Sequence, residues 1–144
     1  MLTGAGDKAF YGAPNLAEMK DFTLADAEAS ATKTHRVCDA VRQFPVPVIA
    51  RINGYCFGSG MEIAACADMR VAADHAKFGM PEAKWGFIPS QILPFVIGRI
   101  GEGAARAMII SGRIAQGEEA LRLGVLHELA PDTAVLEAVS YTHL

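Results

Sequence analysis

The sequence predicts an α/β fold with parallel strand pairing. Short runs rich in β-branched residues alternate with segments in which small and apolar residues recur at helical spacing. Apolar residues make up 51% and charged residues 20% of the 144 residues, a composition typical of a packed core rather than of a disordered chain. This length corresponds to one domain at most.

The elements are expected in a clear order. Met1–Thr3 reads as the end of a strand, and the helical pattern over residues 25–44 ends at Pro45. A buried strand over residues 46–52 ends at the Asn53-Gly54 turn. The later patterns predict, in order, a helix over 61–67, a strand over 68–73, an irregular segment over 78–89, helices over 92–97, 102–110 and 117–123, and a strand over 125–129. Gly112 and Gly124 stand where helix ends are expected.

Charge and cysteine content narrow the function classes. The formal net charge of −3 argues against nucleic acid or an anionic membrane as the main partner. Cys38, Cys56 and Cys66 are too few and too far apart for a disulfide framework, and they contain no C-x-x-C pair for zinc or redox chemistry. Residues 1–10 lack the pattern of a signal peptide. We therefore expect a cytoplasmic protein without a metal site.

The last six residues, 139–144, differ in character from what precedes them. They break the helical pattern of residues 133–138, and their sequence is what results from translating a transposon end used in sequencing libraries. We therefore expect a partial core domain over residues 1–138, followed by a non-native tail.

A glycine-containing loop after the strand at 46–52 is the first candidate for chemistry. Gly58-Ser59-Gly60 supplies small residues and free N–H groups at a predicted helix start, which is suited to holding an enolate oxygen. The glycines of a serine-nucleophile elbow would stand at Phe57 and Met61, so that reading fails. Glu62 falls in the first helical turn; taken alone, its structural role of complementing the helix dipole is favoured.

A second carboxylate follows in a turn-rich, apolar stretch. Glu82 comes directly after Pro81, and Gly86-Phe87-Ile88-Pro89 follows shortly after. A carboxyl group in apolar surroundings has a raised pKa and can act as an acid near neutral pH. In isolation, an exposed loop glutamate is an equally good interpretation of Glu82.

Taken together, these features resemble the crotonase superfamily of enoyl-CoA hydratases and isomerases. The two glutamates stand 82 − 62 = 20 positions apart, as in the hydratases of that family. The segments that carry the resemblance are Leu2-Thr3-Gly4, Lys8-Ala9-Phe10, Asn53-Gly54-Tyr55 through Glu62, Cys66-Ala67-Asp68, Phe78-Gly79-Met80-Pro81-Glu82 and Gly124-Val125-Leu126.

The resemblance implies a fold and a set of roles. The fold is a spiral of ββα units, the ClpP/crotonase fold, here incomplete at both ends, and the family assembles as homotrimers or homohexamers. Glu62 and Glu82 would be the catalytic pair, the Ser59 N–H would donate to the thioester oxygen, and Ser90 would position water. Substrate contacts would come from Phe10, Asn15, Leu16, Gly58, Pro81 and Phe87. Coenzyme A is part of the substrate, so no separate cofactor is expected.

Two segments depart from the common family pattern. The first oxyanion donor of the family falls at Pro14, which has no N–H, so Ala13 must donate or the oxyanion hole has one donor. Residues 90–101 lack the glycine-rich segment of many hydratases and are more similar to the branch that contains methylglutaconyl-CoA hydratases.

The sequence thus predicts an enoyl-CoA hydratase that adds water across the 2,3 double bond of an acyl-CoA thioester. An isomerase or a dehydratase with the same site is an alternative within the enzyme class. The second alternative is a non-catalytic acyl-CoA-binding homologue, which Pro14 favours and the two glutamates oppose.

Overall fold

The chain builds two four-stranded sheets, and strands that follow one another along the chain mostly alternate between them. The computed structural model describes residues 1–12, 16–132, 134 and 136, so the predicted tail at 139–144 lies outside the described residues. The strands are β1 (Leu2–Thr3), β2 (Ala9–Tyr11), β3 (Ile49–Ile52), β4 (Tyr55–Phe57), β5 (Met69–Ala73), β6 (Lys77–Gly79), β7 (Ile114–Gln116) and β8 (Glu128–Ala130). The helices are α1 (Leu16–Met19), α2 (Leu24–Arg42), α3 (Ser59–Cys66), α4 (Leu93–Ser111) and α5 (Gly117–Arg122), with a 3₁₀ helix at Pro81–Trp85.

The strand order confirms the predicted α/β class and the ββα spiral. The first sheet has the order β1-β3-β5-β8 and is parallel throughout. The second has the order β2-β4-β6-β7, parallel except for the β6–β7 pair. Each of the pairs β1/β2, β3/β4 and β5/β6 therefore adds one strand to each sheet, and a helical segment follows each pair.

Most predicted elements of the first sheet and its helices are confirmed within a few residues. The helix predicted at 25–44 is α2, which begins one residue after Thr23, where Thr23 and Asp26 form a reciprocal capping box. The two helices predicted over 92–110 form one element, α4, broken at Gly101, whose φ of 78° is not helical. Gly112 ends that element in the left-handed conformation.

Two predicted segments were wrong in part. The stretch at 78–89 is more ordered than expected, since it contains the end of β6 and the 3₁₀ helix. The last strand is β8 at Glu128–Ala130, whereas residues 125–127 continue the turn that ends α5: the Val125 N–H donates to Ala120 O. The His127 N–H then donates to Arg70 O, and this bond leads the chain into the sheet.

The Asn53-Gly54 turn joins the two sheets and is tightly packed. A Cβ at Gly54 would lie 2.2 Å from the Lys8 carbonyl oxygen, so only glycine fits there. The buried Asn53 side chain accepts a hydrogen bond from the Gly4 N–H at 3.2 Å and donates to the Gly6 carbonyl at 2.6 Å. The turn after β1 and the turn after β3 are thereby held together, which aligns β2 beside β4.

We expect Asn53→Ala to lower the free energy of unfolding of the full-length gene product by about 1–3 kcal/mol, because the hydrogen bonds of the buried Asn53 side chain to the backbone of Gly4 and Gly6 are lost. Urea unfolding followed by circular dichroism measures this change. Thr32→Ala is the control, since it removes an exposed hydroxyl that bonds only to its own helix at Glu28 O. Equal stability losses in both variants would contradict the expectation.

Candidate active site

Parallel pairing of β4 with β6 brings the two predicted carboxylates to one edge of the second sheet. Phe57 and Gly79, the last residues of these strands, are direct partners, and the Gly58 N–H donates to Gly79 O at 3.0 Å. Helix α3 begins directly after Gly58 and carries Glu62. The 3₁₀ helix begins two residues after Gly79 and carries Glu82. Both glutamates therefore follow neighbouring strands at the same end.

The N-terminus of α3 presents polarised N–H groups at this edge. Gly58 has φ 52° and ψ −119°, a conformation that suits glycine alone, and no side chain in the described part of the chain caps the helix. The Gly58 carbonyl accepts from the N–H groups of Met61 and Glu62, whereas the Ser59 N–H has no acceptor among the described residues. A helix start with an unpaired donor and a positive dipole end suits a developing negative oxygen.

Gly60 lets β2 pass close to this helix start. A Cβ on Gly60 would lie 2.7 Å from Tyr11 O, and Tyr11 pairs with Cys56 in the second sheet. The chain therefore leaves β2 beside the first turn of α3. The predicted donor positions Ala13 and Pro14, together with Asn15, lie outside the described residues. Leu16 begins α1, and its side chain likewise lies outside the described residues.

Glu62 is a buried carboxyl group without a conventional partner. Its side chain is 1% exposed, and neither carboxylate oxygen accepts a hydrogen bond from a described residue. Burial raises the pKa of Glu62, and the nearby Cys38 thiol and His35 oppose that rise. Burying an unpaired carboxyl group is costly for the fold, and this makes Glu62 a candidate for a chemical role.

Glu82 is partly buried at the start of the 3₁₀ helix. Its Oε2 atom is buried and accepts no hydrogen bond from a described residue. Burial raises the pKa of Glu82, and a hydrogen bond with its own backbone opposes the rise. The Glu82 carbonyl accepts from the Phe87 N–H at 3.0 Å, which closes the turn that contains Gly86 in the left-handed conformation. A partly buried carboxyl group with a raised pKa is consistent with the prediction that Glu82 lies in apolar surroundings.

Because the pKa of Glu62 is raised, the difference in stability between Glu62→Gln and the wild type should grow with pH. Above the ordinary glutamate pKa of about 4.3, the unfolded chain has released the proton of Glu62. The folded protein still holds that proton over a range of pH above this value, because its pKa is raised. Wild-type stability therefore falls as the pH rises through that range, whereas glutamine does not titrate. We expect the stability of Glu62→Gln relative to the wild type to increase as the pH rises above the ordinary glutamate pKa of about 4.3.

Urea unfolding of the full-length gene product across this pH range measures the difference. Glu118→Gln serves as the control because Glu118 is an exposed residue at the start of α5. A stability difference between Glu62→Gln and the wild type that does not change with pH would contradict the expectation.

The remaining predicted residues differ in where they lie. Phe10 is 8% exposed and packs in the hydrophobic core. Pro81 is half-buried at the start of the 3₁₀ helix, and Phe87 is exposed. The Ser90 N–H donates to Ile88 O at 2.8 Å, so in this structure the predicted water-positioning donor already has an acceptor.

Sequence reasoning missed two residues at this site. Cys38 reaches Glu62 from α2, 24 positions earlier in the chain, and no local pattern signals such a contact. Gly60 did carry a signal, because a glycine in the first turn of a short helix is unfavourable unless a close approach requires it. The close approach of Tyr11 is the reason for that glycine.

The described residues contain no cluster of three or more histidine, cysteine, aspartate or glutamate side chains that could hold a metal ion. In the same part of the chain, no helix combines the length and the apolar character that crossing a membrane requires.

Comparison with known proteins gives the class to which this fold and site belong. Residues 1–142 match the family model described as enoyl-CoA hydratase/isomerase, and the chain belongs to that family. Crotonyl-CoA hydratase of Syntrophomonas wolfei is 32% identical over 143 residues, which cover 96% of this chain and 54% of the relative. The short-chain-enoyl-CoA hydratase of Clostridium acetobutylicum is 31% identical over 137 residues, or 94% of this chain and 52% of the relative.

Solved structures agree with this assignment. The crystal structure of enoyl-CoA hydratase from Bacillus anthracis matches with a TM-score of 0.87 and 32% identity, covering 98% of this chain and 55% of that one. The chain thus spans about half the length of the relatives it matches. The crotonase fold and the family are established by these matches, and the branch within the family stays a prediction.

Proposed function

We propose that this chain carries the acid–base site of an enoyl-CoA hydratase, an enzyme that adds water across the 2,3 double bond of an enoyl-CoA thioester. One observation carries the proposal. At one edge of a sheet, the paired ends of β4 and β6 are followed by the Ser59 N–H, which has no acceptor among the described residues, the buried Glu62 and the partly buried Glu82. The family and the hydratase relatives support the same reaction class.

Each group has a distinct duty in this reaction. Glu62 accepts a proton from water as the water oxygen bonds to the β-carbon. The electrons of the double bond move onto the thioester, and the Ser59 N–H stabilises the resulting enolate oxygen. Glu82 then gives its proton to the α-carbon. A proton transfer from Glu62 to Glu82, directly or through solvent, restores the starting state.

The directions of the two pKa shifts are compatible with these duties. A raised pKa keeps Glu82 protonated nearer to neutral pH, as a proton donor must be. A raised pKa also makes the Glu62 carboxylate a stronger base, although a smaller fraction of it is ionised at a given pH. Activity should therefore require a pH above the usual glutamate range.

One observation favours a double-bond isomerase as the second candidate. The Ser90 N–H, which the family resemblance assigns to holding water, is committed to Ile88 O. An isomerase moves a proton between carbons and needs no water, so this commitment would not hinder it.

A separate feature, Pro14, favours a non-catalytic homologue, because a proline cannot donate a hydrogen bond to an oxyanion.

Product analysis in ¹⁸O-labelled water separates the candidates. The full-length gene product is incubated with a panel of 2-enoyl-CoA and 3-enoyl-CoA esters, and a Glu62→Gln/Glu82→Gln double variant is the control. A hydratase gives 3-hydroxyacyl-CoA that carries the label, whereas an isomerase gives an unlabelled shifted alkene. Tight binding of the esters with no product would identify a non-catalytic homologue.

We propose in addition that the gene product assembles as a homotrimer or a dimer of trimers, as the family resemblance implies. The exposed apolar side chains Trp85 and Ile88, which are 53% and 80% exposed, support a further contact on this side of the site. Sedimentation equilibrium measures the assembly, and a monomeric mass would contradict it.

A further inference from the structure

The C-terminal end of α3 is held by two arginines. The last carbonyls of a helix have no partner within the helix. The Arg99 Nε atom donates to Ala65 O at 2.7 Å, and its Nη2 atom donates to Ala67 O at 3.4 Å. The Arg70 Nη1 atom donates to the same Ala67 oxygen at 3.2 Å. Two guanidinium groups thus converge on the carbonyl end of one short helix.

These arginines have no carboxylate partner in the described part of the chain. None of the ion pairs there includes Arg70 or Arg99. Arg70 is only 4% exposed, and its Nε atom donates to the Val125 carbonyl at 2.8 Å. Since no anion compensates the two charges, the carbonyls and the negative end of the α3 dipole are what stabilise them.

Helix α3 connects this arginine pair to the proposed active site. The helix has eight residues and is therefore about 12 Å long, too short to bend appreciably. Its N-terminal end is joined to β6 through the hydrogen bond from the Gly58 N–H to Gly79 O, a backbone contact about which the rigid helix can still tilt. A change in how the C-terminal end is held would therefore shift the first turn, which carries the Ser59 N–H and Glu62.

We propose that Arg99 is a positioning residue for the acid–base site, acting through α3. This inference rests on the proposed function. Arg99 is exposed, and it stands two residues before the break in α4 at Gly101, so its side chain can be changed without opening a cavity. Arg70 makes the same kind of contact but is buried, and its replacement would threaten the fold.

The test compares three variants of the full-length gene product. Arg99→Met removes the donors and keeps much of the apolar stem, whereas Arg99→Lys keeps a charge and one donor site. Arg106→Met is the matched control, because Arg106 lies on the same helix and pairs only with the exposed Glu102 at 3.2 Å. We expect Arg99→Met to lower kcat by roughly 10-fold to 10²-fold with little change in KM, as small misplacements of catalytic groups do. Arg99→Lys should recover part of the loss, and Arg106→Met should match the wild type.

A double variant separates positioning from a general loss of stability. If Arg99 acts through the placement of Glu62, Arg99→Met should cost far less activity in a Glu62→Gln background than in the wild type. An equal loss in both backgrounds, or an equal loss in Arg106→Met, would overturn the proposal.

Hydrogen exchange supplies a readout that needs no turnover. Arg99→Met should speed amide exchange at Met61 and Glu62, which lie in the first turn of α3, about one helical turn before Ala65, whereas Arg106→Met should not. If no enoyl-CoA is converted, the proposed function fails, and exchange alone decides the positioning role. Unchanged exchange at Met61 and Glu62 would then overturn it.

Discussion

Replacing either carboxylate by its amide should nearly abolish turnover: we expect Glu62→Gln and Glu82→Gln each to lower kcat by at least about 10²-fold. Hydration puts oxygen on the β-carbon and a proton on the α-carbon, so one carboxyl group must accept a proton and another must give one. Positioned proton transfer contributes roughly 10²-fold to 10⁴-fold per group. Steady-state hydration of a short 2-enoyl-CoA by the full-length gene product measures the effect.

Two measurements control for other effects of these substitutions: the affinity of each single variant for a CoA ester and the activity of the double variant. Neither carboxyl group is expected to hold the nucleotide, so the Kd for a CoA ester should change little in either variant. The double variant should be little worse than the poorer single variant, because the two groups act in one reaction. Glu102→Gln, on the exposed face of α4, should keep full activity.

One outcome would transfer the assignment to an isomerase. If Glu62→Gln were harmless while Glu82→Gln abolished activity, no water would be activated and the two-carboxylate hydratase would be the wrong account. Glu82 would then move a proton between carbons as a single base. The position of Ser90, whose N–H is already committed to Ile88 O, would fit that account.

The elements predicted correctly from sequence are those long enough to show a period. The strands β3 and β5 and the helices α2, α3 and α4 have between four and 19 residues, and each lies close to its predicted position. The local sequence patterns did not predict the strands of the second sheet, which only the family resemblance implied through its ββα units. Its four strands, β2, β4, β6 and β7, have three residues each, and alternation over three residues cannot be told from a turn.

That second sheet is also what assembles the site. The Phe57–Gly79 register puts the elements that carry Glu62 and Glu82 at the same end of the sheet, and this register cannot be read from the order of residues along the chain. The family resemblance named the two glutamates, whereas local chemistry favoured a dipole role for Glu62. Burial of Glu62 to 1% exposure favours the catalytic role that we propose over the dipole role. The contacts of Arg99 could not be predicted from sequence, because its partners are backbone carbonyls, which side-chain patterns do not display.

Gly60→Ala should be the most damaging single-methyl change near the site. The added Cβ would lie 2.7 Å from Tyr11 O, a backbone atom that cannot rotate away. Either β2 or the first turn of α3 must move, and both flank the place where a thioester oxygen would meet the Ser59 N–H. A displacement on the order of 1 Å between reacting groups costs about 10²-fold in rate. We therefore expect kcat of the full-length gene product to fall by about that factor.

Gly103→Ala is the matched control for Gly60→Ala, since it adds the same methyl group at another helical glycine. Gly103 lies in α4, and a Cβ there would meet nothing within 4 Å. The same methyl group should therefore leave kcat unchanged and raise the free energy of unfolding slightly, since alanine is the better helix former by about 1 kcal/mol. Thermal unfolding and steady-state rates of both variants decide the point. Wild-type turnover in Gly60→Ala would mean that the close contact between β2 and α3 does not govern the oxyanion site. The second N–H donor to the oxyanion would then not come from the residues that follow Tyr11.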